Sequence, residues 1–93
     1  MPRPRSGLNA VVADGCLHAW GGESAAGMFA DHDHYDPRND SWTNLPDMPL
    51  PVHGVVGAAF VDGVIHAPGG GTDVGGSSGS LLNQVYRPEV DCR

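Results

Sequence analysis

The sequence predicts an all-β fold made of two copies of one small antiparallel sheet, and three observations predict it. The composition is rich in turn formers yet apolar enough for a core, with 14 Gly, 8 Pro and 40% hydrophobic residues in 93. Two Asp-Gly pairs, Asp14-Gly15 and Asp62-Gly63, each stand between two apolar runs. The stretch from Met1 to Gly22 also returns, with one inserted residue, from Met48 to Gly70.

The repeat organises everything else. Met1, Pro2, Pro4 and Gly7 match Met48, Pro49, Pro51 and Gly54. Asp14, Gly15, His18, Ala19, Gly21 and Gly22 then match Asp62, Gly63, His66, Ala67, Gly69 and Gly70, and Tyr35 and Pro37 match Tyr86 and Pro88. The units are therefore residues 1–47 and 48–93.

In each unit the first element is a hairpin. Runs such as LNAVVA and CLHAW, or VVGAAFV and VIHA, meet at Asp-Gly, which tolerates the positive φ of a type I′ turn. The runs are nearly continuous rather than alternating, which predicts strands covered on both faces. Glycines then release the chain into irregular stretches, ESAAGMFA and GTDVGGSSGS. A third strand follows at Asp31 to Asp36 and at Leu81 to Arg87. In the first unit, the turn DPRND leads to a fourth strand, SWTNL, because Pro37 fixes φ and Asn39 and Asp40 favour turns. Tyr35 and Trp42 flank that turn, each placed to pack on a neighbouring sheet.

Charge narrows the partners. Net charge is −6, with five Arg and no Lys, so nucleic acid and anionic membrane surfaces are excluded as partners. The chain shows no apolar run of transmembrane length and no secretory signal pattern, and the compartment stays undefined. Cys16 lies in an apolar run, where a free cysteine acts as a small hydrophobe; a disulfide to Cys92 is the alternative.

At the double glycines Gly21-Gly22 and Gly69-Gly70, at Tyr35-Asp36-Pro37 with Trp42, at Tyr86, and at MPRPR, the chain resembles the kelch repeat. Such repeats run about 50 residues and form propeller blades. The resemblance implies one complete four-stranded blade and a second without its outer strand, as part of a larger propeller. The pattern departs at Val52, which stands where Arg5 stands in the first copy, at Arg87 after Tyr86, and at Arg93 in place of a Trp.

The resemblance further implies a binding or scaffold module for protein partners, with a glycan as the other ligand class. Beyond these, the chain would contact the remaining blades or copies of itself. Its rim loops are Glu23 to Ala30, Gly71 to Ser80 and Pro46 to Gly54, with Arg5, Glu23, Ser24, His53, Asp73 and Ser77 as candidate binding residues. The alternative is the scaffold of a kelch-containing enzyme resembling galactose oxidase or sialic acid epimerase, with catalytic residues mostly outside this chain. No nucleophile, base and orienting group stand in array here, no cofactor is expected, and the Gly-rich loop lacks the Lys of a phosphate cradle.

Two histidines are the sharpest chemical candidates. In DHDHY, His32 and His34 fall on one side of a strand and would share a metal ion if His53 supplied a third ligand; the plainer reading is exposed polar residues at a strand entrance. His18 and His66, at equivalent positions, predict a shared structural bond within each unit. Arg5 is read as paired with a carboxylate such as Asp47, or as reaching the propeller channel. Trp20, Tyr35 and Trp42 are read as packing residues.

Overall fold

Both Asp-Gly turns form as expected. Asp14 and Gly15 have φ of 50° and 80°, and Asp62 and Gly63 have 50° and 77°, the paired positive values of a type I′ turn. The computed structural model describes residues 3–54, 58–72 and 83–93, and every regular element among them is a strand. Elements are β1 (Asn9–Ala13), β2 (Cys16–Trp20), β3 (Glu23–Ser24), β4 (Gly27–Met28), β5 (His32–Asp36), β6 (Ser41–Leu45), β7 (Ala59–Val61), β8 (Val64–Pro68) and β9 (Asn83–Tyr86).

The first sheet is an antiparallel meander in the order β1-β2-β5-β6, and the second has the order β7-β8-β9. The architecture is the all-β blade arrangement that the sequence predicts: one four-stranded blade and three strands of a second. Residues 23–30, expected to be irregular, instead carry a two-stranded ribbon, β3 with β4, in which Glu23 pairs with Met28. A short hairpin satisfies the backbone groups that an irregular excursion would leave to water.

Register sorts the side chains. In the first sheet His18 pairs with His34 and Trp20 with His32, so these four lie on one face with Val11 and Ala13. That face packs on Phe60, Ile65, Ala67 and Tyr86 of the second sheet; Ala13, Trp20, Ile65 and Ala67 form the buried core. Full burial of a side chain such as Ile65 contributes roughly 2 kcal/mol.

The expectation that strands are covered on both faces holds in the middle of the first sheet, where Ala19 and Asp33 on its back are 2% and 0% exposed beside the buried Arg5, and fails elsewhere. The rest of the opposite faces is open: Val12 on the first sheet is 63% exposed, and Val61 and Val85 on the second are 52% and 58% exposed. Near-continuous apolar runs record faces suited to burial, and here cover comes to the facing sides of the two sheets and to the part of the first sheet's back beside Arg5.

The segments entering the two sheets behave as equivalents, as do the glycines they meet. Ser6 bridges Glu23, and His53 bridges Gly71. The Gly54 N–H donates to the Gly7 carbonyl at 2.8 Å and ties the two segments together. Val52, 3% exposed, lies between the double glycines. A Cβ on Gly21 would come within 2.3 Å of the Val52 oxygen, and one on Gly70 within 2.8 Å of the Val52 Cβ. Both positions also hold positive φ, so each needs glycine twice over.

Cys16 is not the free hydrophobe of the first reading. It forms a disulfide with Cys92, with Cα atoms 5.1 Å apart. The end of the chain therefore returns to the tip of the first hairpin, where the Cys92 N–H donates to the Asp14 carbonyl at 2.7 Å.

Candidate functional site: a rim of tied loops and a histidine-walled cleft

The ends of β2, β6 and β8 and the starts of β5 and β9 fall at one end of the two sheets, because each sheet is an antiparallel meander. The loops at that end are bound to one another. The Gly21 N–H donates to Asp31 O at 2.9 Å, Gly22 N–H to Val52 O at 2.9 Å and Met48 N–H to Ala30 O at 2.8 Å. Gln84 clasps Leu50 through both of its backbone groups, each at 3.0 Å.

Glu23 and His53 meet across this rim at 3.1 Å. The Ser24 hydroxyl accepts from the Ala26 N–H and caps the ribbon turn. Arg3 lies over the Phe29 ring at 4.5 Å and donates to both oxygens of Asp31. This bond to Arg3 holds the Asp31 carboxyl below its usual range, against the opposing effect of burial. Asp73 and Ser77 lie outside the described residues.

Arg5 lies beneath the rim, its side chain fully buried. It pairs with Asp31 and Asp33, each at 3.2 Å, rather than with Asp47. Asn44 donates to the other oxygen of Asp33 at 2.9 Å. The pairing is compelled by burial: Asp33 is completely enclosed, and an enclosed carboxylate requires a partner. The Arg5 side chain runs under Gly22, where a Cβ would approach its Cγ at 3.3 Å.

Between the sheets, below the Pro46–Pro49 segment, is a cleft of about 70 Å³. Trp20, Met48, Ile65 and Tyr86 give it apolar walls, with His32, Asp47 and Gln84 as polar groups. His32 and His34 share a face, but both are buried rather than exposed at a strand entrance. The third imidazole beside them is His18, not His53. His18 Nδ1 and His32 Nε2 are 2.9 Å apart, and His18 Nε2 has no partner. A proton on His18 Nδ1 therefore fits best, since it leaves an unpaired acceptor rather than a buried unpaired N–H.

Burial, then the neighbouring His34, pushes His18 down to about 4, and burial, then His18, pushes His32 down to about 4. The Tyr86 ring meets His32 edge-on at 4.5 Å. Among the described residues no group of three His, Cys, Asp or Glu side chains is arranged to hold a metal ion. His66 bonds to Asn83 at 3.2 Å. Both repeat histidines thus bond to the third strand of their own sheet, as their equivalence suggests.

At the opposite end, Asp36 accepts from the Arg38 N–H at 2.9 Å and from the Arg38 guanidinium, which holds its carboxyl below the usual range. Pro37 follows, and Asp40 closes the turn with φ of 51°. Tyr35 and Trp42 pack on each other, with ring centroids 5.2 Å apart, rather than on a neighbouring sheet, and the Tyr35 hydroxyl donates to Asp40 at 2.6 Å. Gly69 has φ of 70°, equivalent to the 69° of Gly21. Sequence reasoning singled out Val52 as a departure but missed its enclosure between two distant glycine pairs, and missed the placement of His18 against His32.

No protein-family profile matches the chain. It is 33% identical over 94 residues to the Kelch-like protein terF of Aspergillus terreus, an alignment that takes in 97% of this chain and 20% of that protein. It is 39% identical over 71 residues to Kelch-like ECH-associated protein 1B of Danio rerio, covering 72% of this chain and 12% of that protein. The chain thus spans only a fifth and about an eighth of these relatives' lengths.

Proposed function

This chain belongs to the kelch-repeat family, and on that premise we propose that it serves in a propeller that binds protein partners through its rim loops. In this reading residues 1–47 form one repeat unit and residues 48–93 the next.

The observation that carries the proposal is the mutual tethering of the rim loops. Backbone bonds among residues 6, 7, 22, 23, 52, 53, 54 and 71 hold these segments to one another. Loops fixed in this way bind with little ordering cost, which is what a recognition surface needs. The cleft beneath Pro46–Pro49 adds an apolar recess into which a partner's side chain can insert, beside the carboxylate of Asp47. The turn at the opposite end is closed by its own Asp36 and Asp40 contacts.

A peptide-display selection against the 93-residue chain, followed by amide chemical-shift mapping of the selected binder, tests this. Shifts should concentrate at Glu23, Ser24, Met48 and His53. Shifts confined to residues 14–15, 37–40 and 62–63 would overturn the assignment of the rim.

A further inference from the structure

The turn between β5 and β6 carries a motif that the rim reading leaves unused. Asn39, Asp40 and Ser41 spell Asn-X-Ser with X other than Pro, the acceptor sequence for an N-linked oligosaccharide. The other asparagines, Asn9, Asn44 and Asn83, have Val11, Pro46 and Val85 two positions on and lack the hydroxyl. A tripeptide alone says little, so its setting decides.

The turn presents Asn39 and occupies its neighbours. Residues 37–40 are all exposed. The Asn39 N–H donates to the Asp36 carbonyl, and the Ser41 hydroxyl donates to Asn39 Oδ1, so the hydroxyl that the acceptor sequence requires already meets the side-chain amide. Among the described residues Asn39 Nδ2 has no hydrogen-bond partner. The charged groups on either side are engaged elsewhere: the Arg38 guanidinium folds back on Asp36, and Asp40 accepts from the Tyr35 hydroxyl. This turn stands at the end of the first sheet opposite the rim, so a bulky, hydrated group on it would leave the rim loops clear.

A second observation, independent of the turn, concerns redox setting. Both cysteines are buried and joined as Cys16–Cys92. Such bridges form and persist in oxidising compartments, and the Asn-X-Ser acceptor sequence is used in proteins that pass through them.

From the exposed turn and the bridge together, we propose that Asn39 is a modification site that accepts an N-linked oligosaccharide. The donor class is an oligosaccharide held through its anomeric carbon on a lipid pyrophosphate. Asn39 Nδ2 attacks that carbon, a carbon–nitrogen bond forms and the carbon–oxygen bond to the pyrophosphate breaks. The lipid pyrophosphate leaves with the electron pair, one Nδ2 proton passes to a base of the transferase, and nothing is oxidised or reduced. This inference does not depend on the rim reading, which concerns the other end of the sheet.

The test uses the protein purified from its own cells. Mass spectrometry should find the Asn39 peptide carrying hexosamine. Peptide N-glycosidase in heavy-oxygen water should remove the sugar and leave aspartate with one heavy oxygen at that position. A Ser41→Ala chain made in the same cells should lose the modification completely, and Ser41→Thr, which keeps the hydroxyl, should retain it. A merely structural role for Ser41 would move the thermal melt of these variants and not their mass. Should Ser41→Ala fail to accumulate, Asn39→Gln repeats that arm. An Asn39 peptide found unmodified throughout, or a sugar that survives either substitution, overturns the inference.

Discussion

Reducing the Cys16–Cys92 disulfide should remove a third or more of the stability margin of this chain. The two cysteines are 76 positions apart, and a cross-link closing a loop of that length restricts the unfolded chain by about 4.5 kcal/mol at 25 °C in the chain-entropy treatment. A domain of this size has roughly 5–14 kcal/mol in total. About 5 °C of melting temperature accompanies each kcal/mol here, so full reduction should lower Tm by roughly 20 °C. Reduction is a cleaner perturbation than substitution, because both sulfurs are buried and stay in place. Far-UV circular dichroism melts with and without a phosphine reductant measure the effect, and a Cys16→Ala/Cys92→Ala variant, which has no bridge to lose, should ignore the reductant. Hydrogen exchange at the Cys92 amide gives a local check, since its bond to Asp14 is the tail's main-chain link to the first hairpin among the described residues. A Tm change under about 3 °C on complete reduction would refute the loop argument.

Gly21→Val should cost more than about 3 kcal/mol, since it combines a positive φ with a Cβ placed 2.3 Å from the Val52 oxygen, whereas Gly63→Ala, at similar φ but in open space, should cost about 1 kcal/mol; chemical denaturation compares them. Arg5→Met leaves the enclosed Asp33 without its counter-charge and should destabilise by about 3–5 kcal/mol, with Arg5→Met/Asp33→Asn recovering part of the loss. Stability should also fall with acid through the imidazole pair. Above pH 6.5 both rings are neutral folded and unfolded. As pH drops from 6.5 to about 4, the unfolded chain takes up protons that buried His18 and His32 refuse, and below about 4 the effect saturates. Screening from the open side of the cleft brings the pair to about 3 kcal/mol together. Urea midpoints at pH 7, 5.5 and 4 report it, and a midpoint unchanged between 7 and 5 would contradict the buried placement of these rings.

Local chemistry made part of the fold readable. Asp14-Gly15 and Asp62-Gly63 announce their hairpins because few dipeptides accept two consecutive positive φ values. Tyr35-Asp36-Pro37 announces the next turn because Asp36 can cap its own backbone. What depends on distant segments was not readable. Cys16 and Cys92 gain their proximity only once the tail after β9 has reached the tip of the first hairpin. Val52 breaks the repeat pattern in sequence, and its role emerges only when Gly21 and Gly70 close around it. The same holds for Arg5, whose partners Asp31 and Asp33 are chosen by which carboxylate the sheet encloses, not by nearness along the chain. His32 was legible as a neighbour of His34 on a strand face, but its contacts with His18 and Tyr86 belong to register and sheet packing.

The bridged tail also decides how the molecule bears mechanical load. Pulled by its two ends, a chain without the cross-link could pay out its whole contour, about 30 nm at roughly 3.5 Å per residue. With Cys16 joined to Cys92, tension bypasses everything between them and runs through the sulfur bridge. Only the segment before Cys16 can be drawn out, about 5 nm. Both sheets' remaining strands are then slack under force, and the unit acts as a short, nearly inextensible link while the bridge is intact.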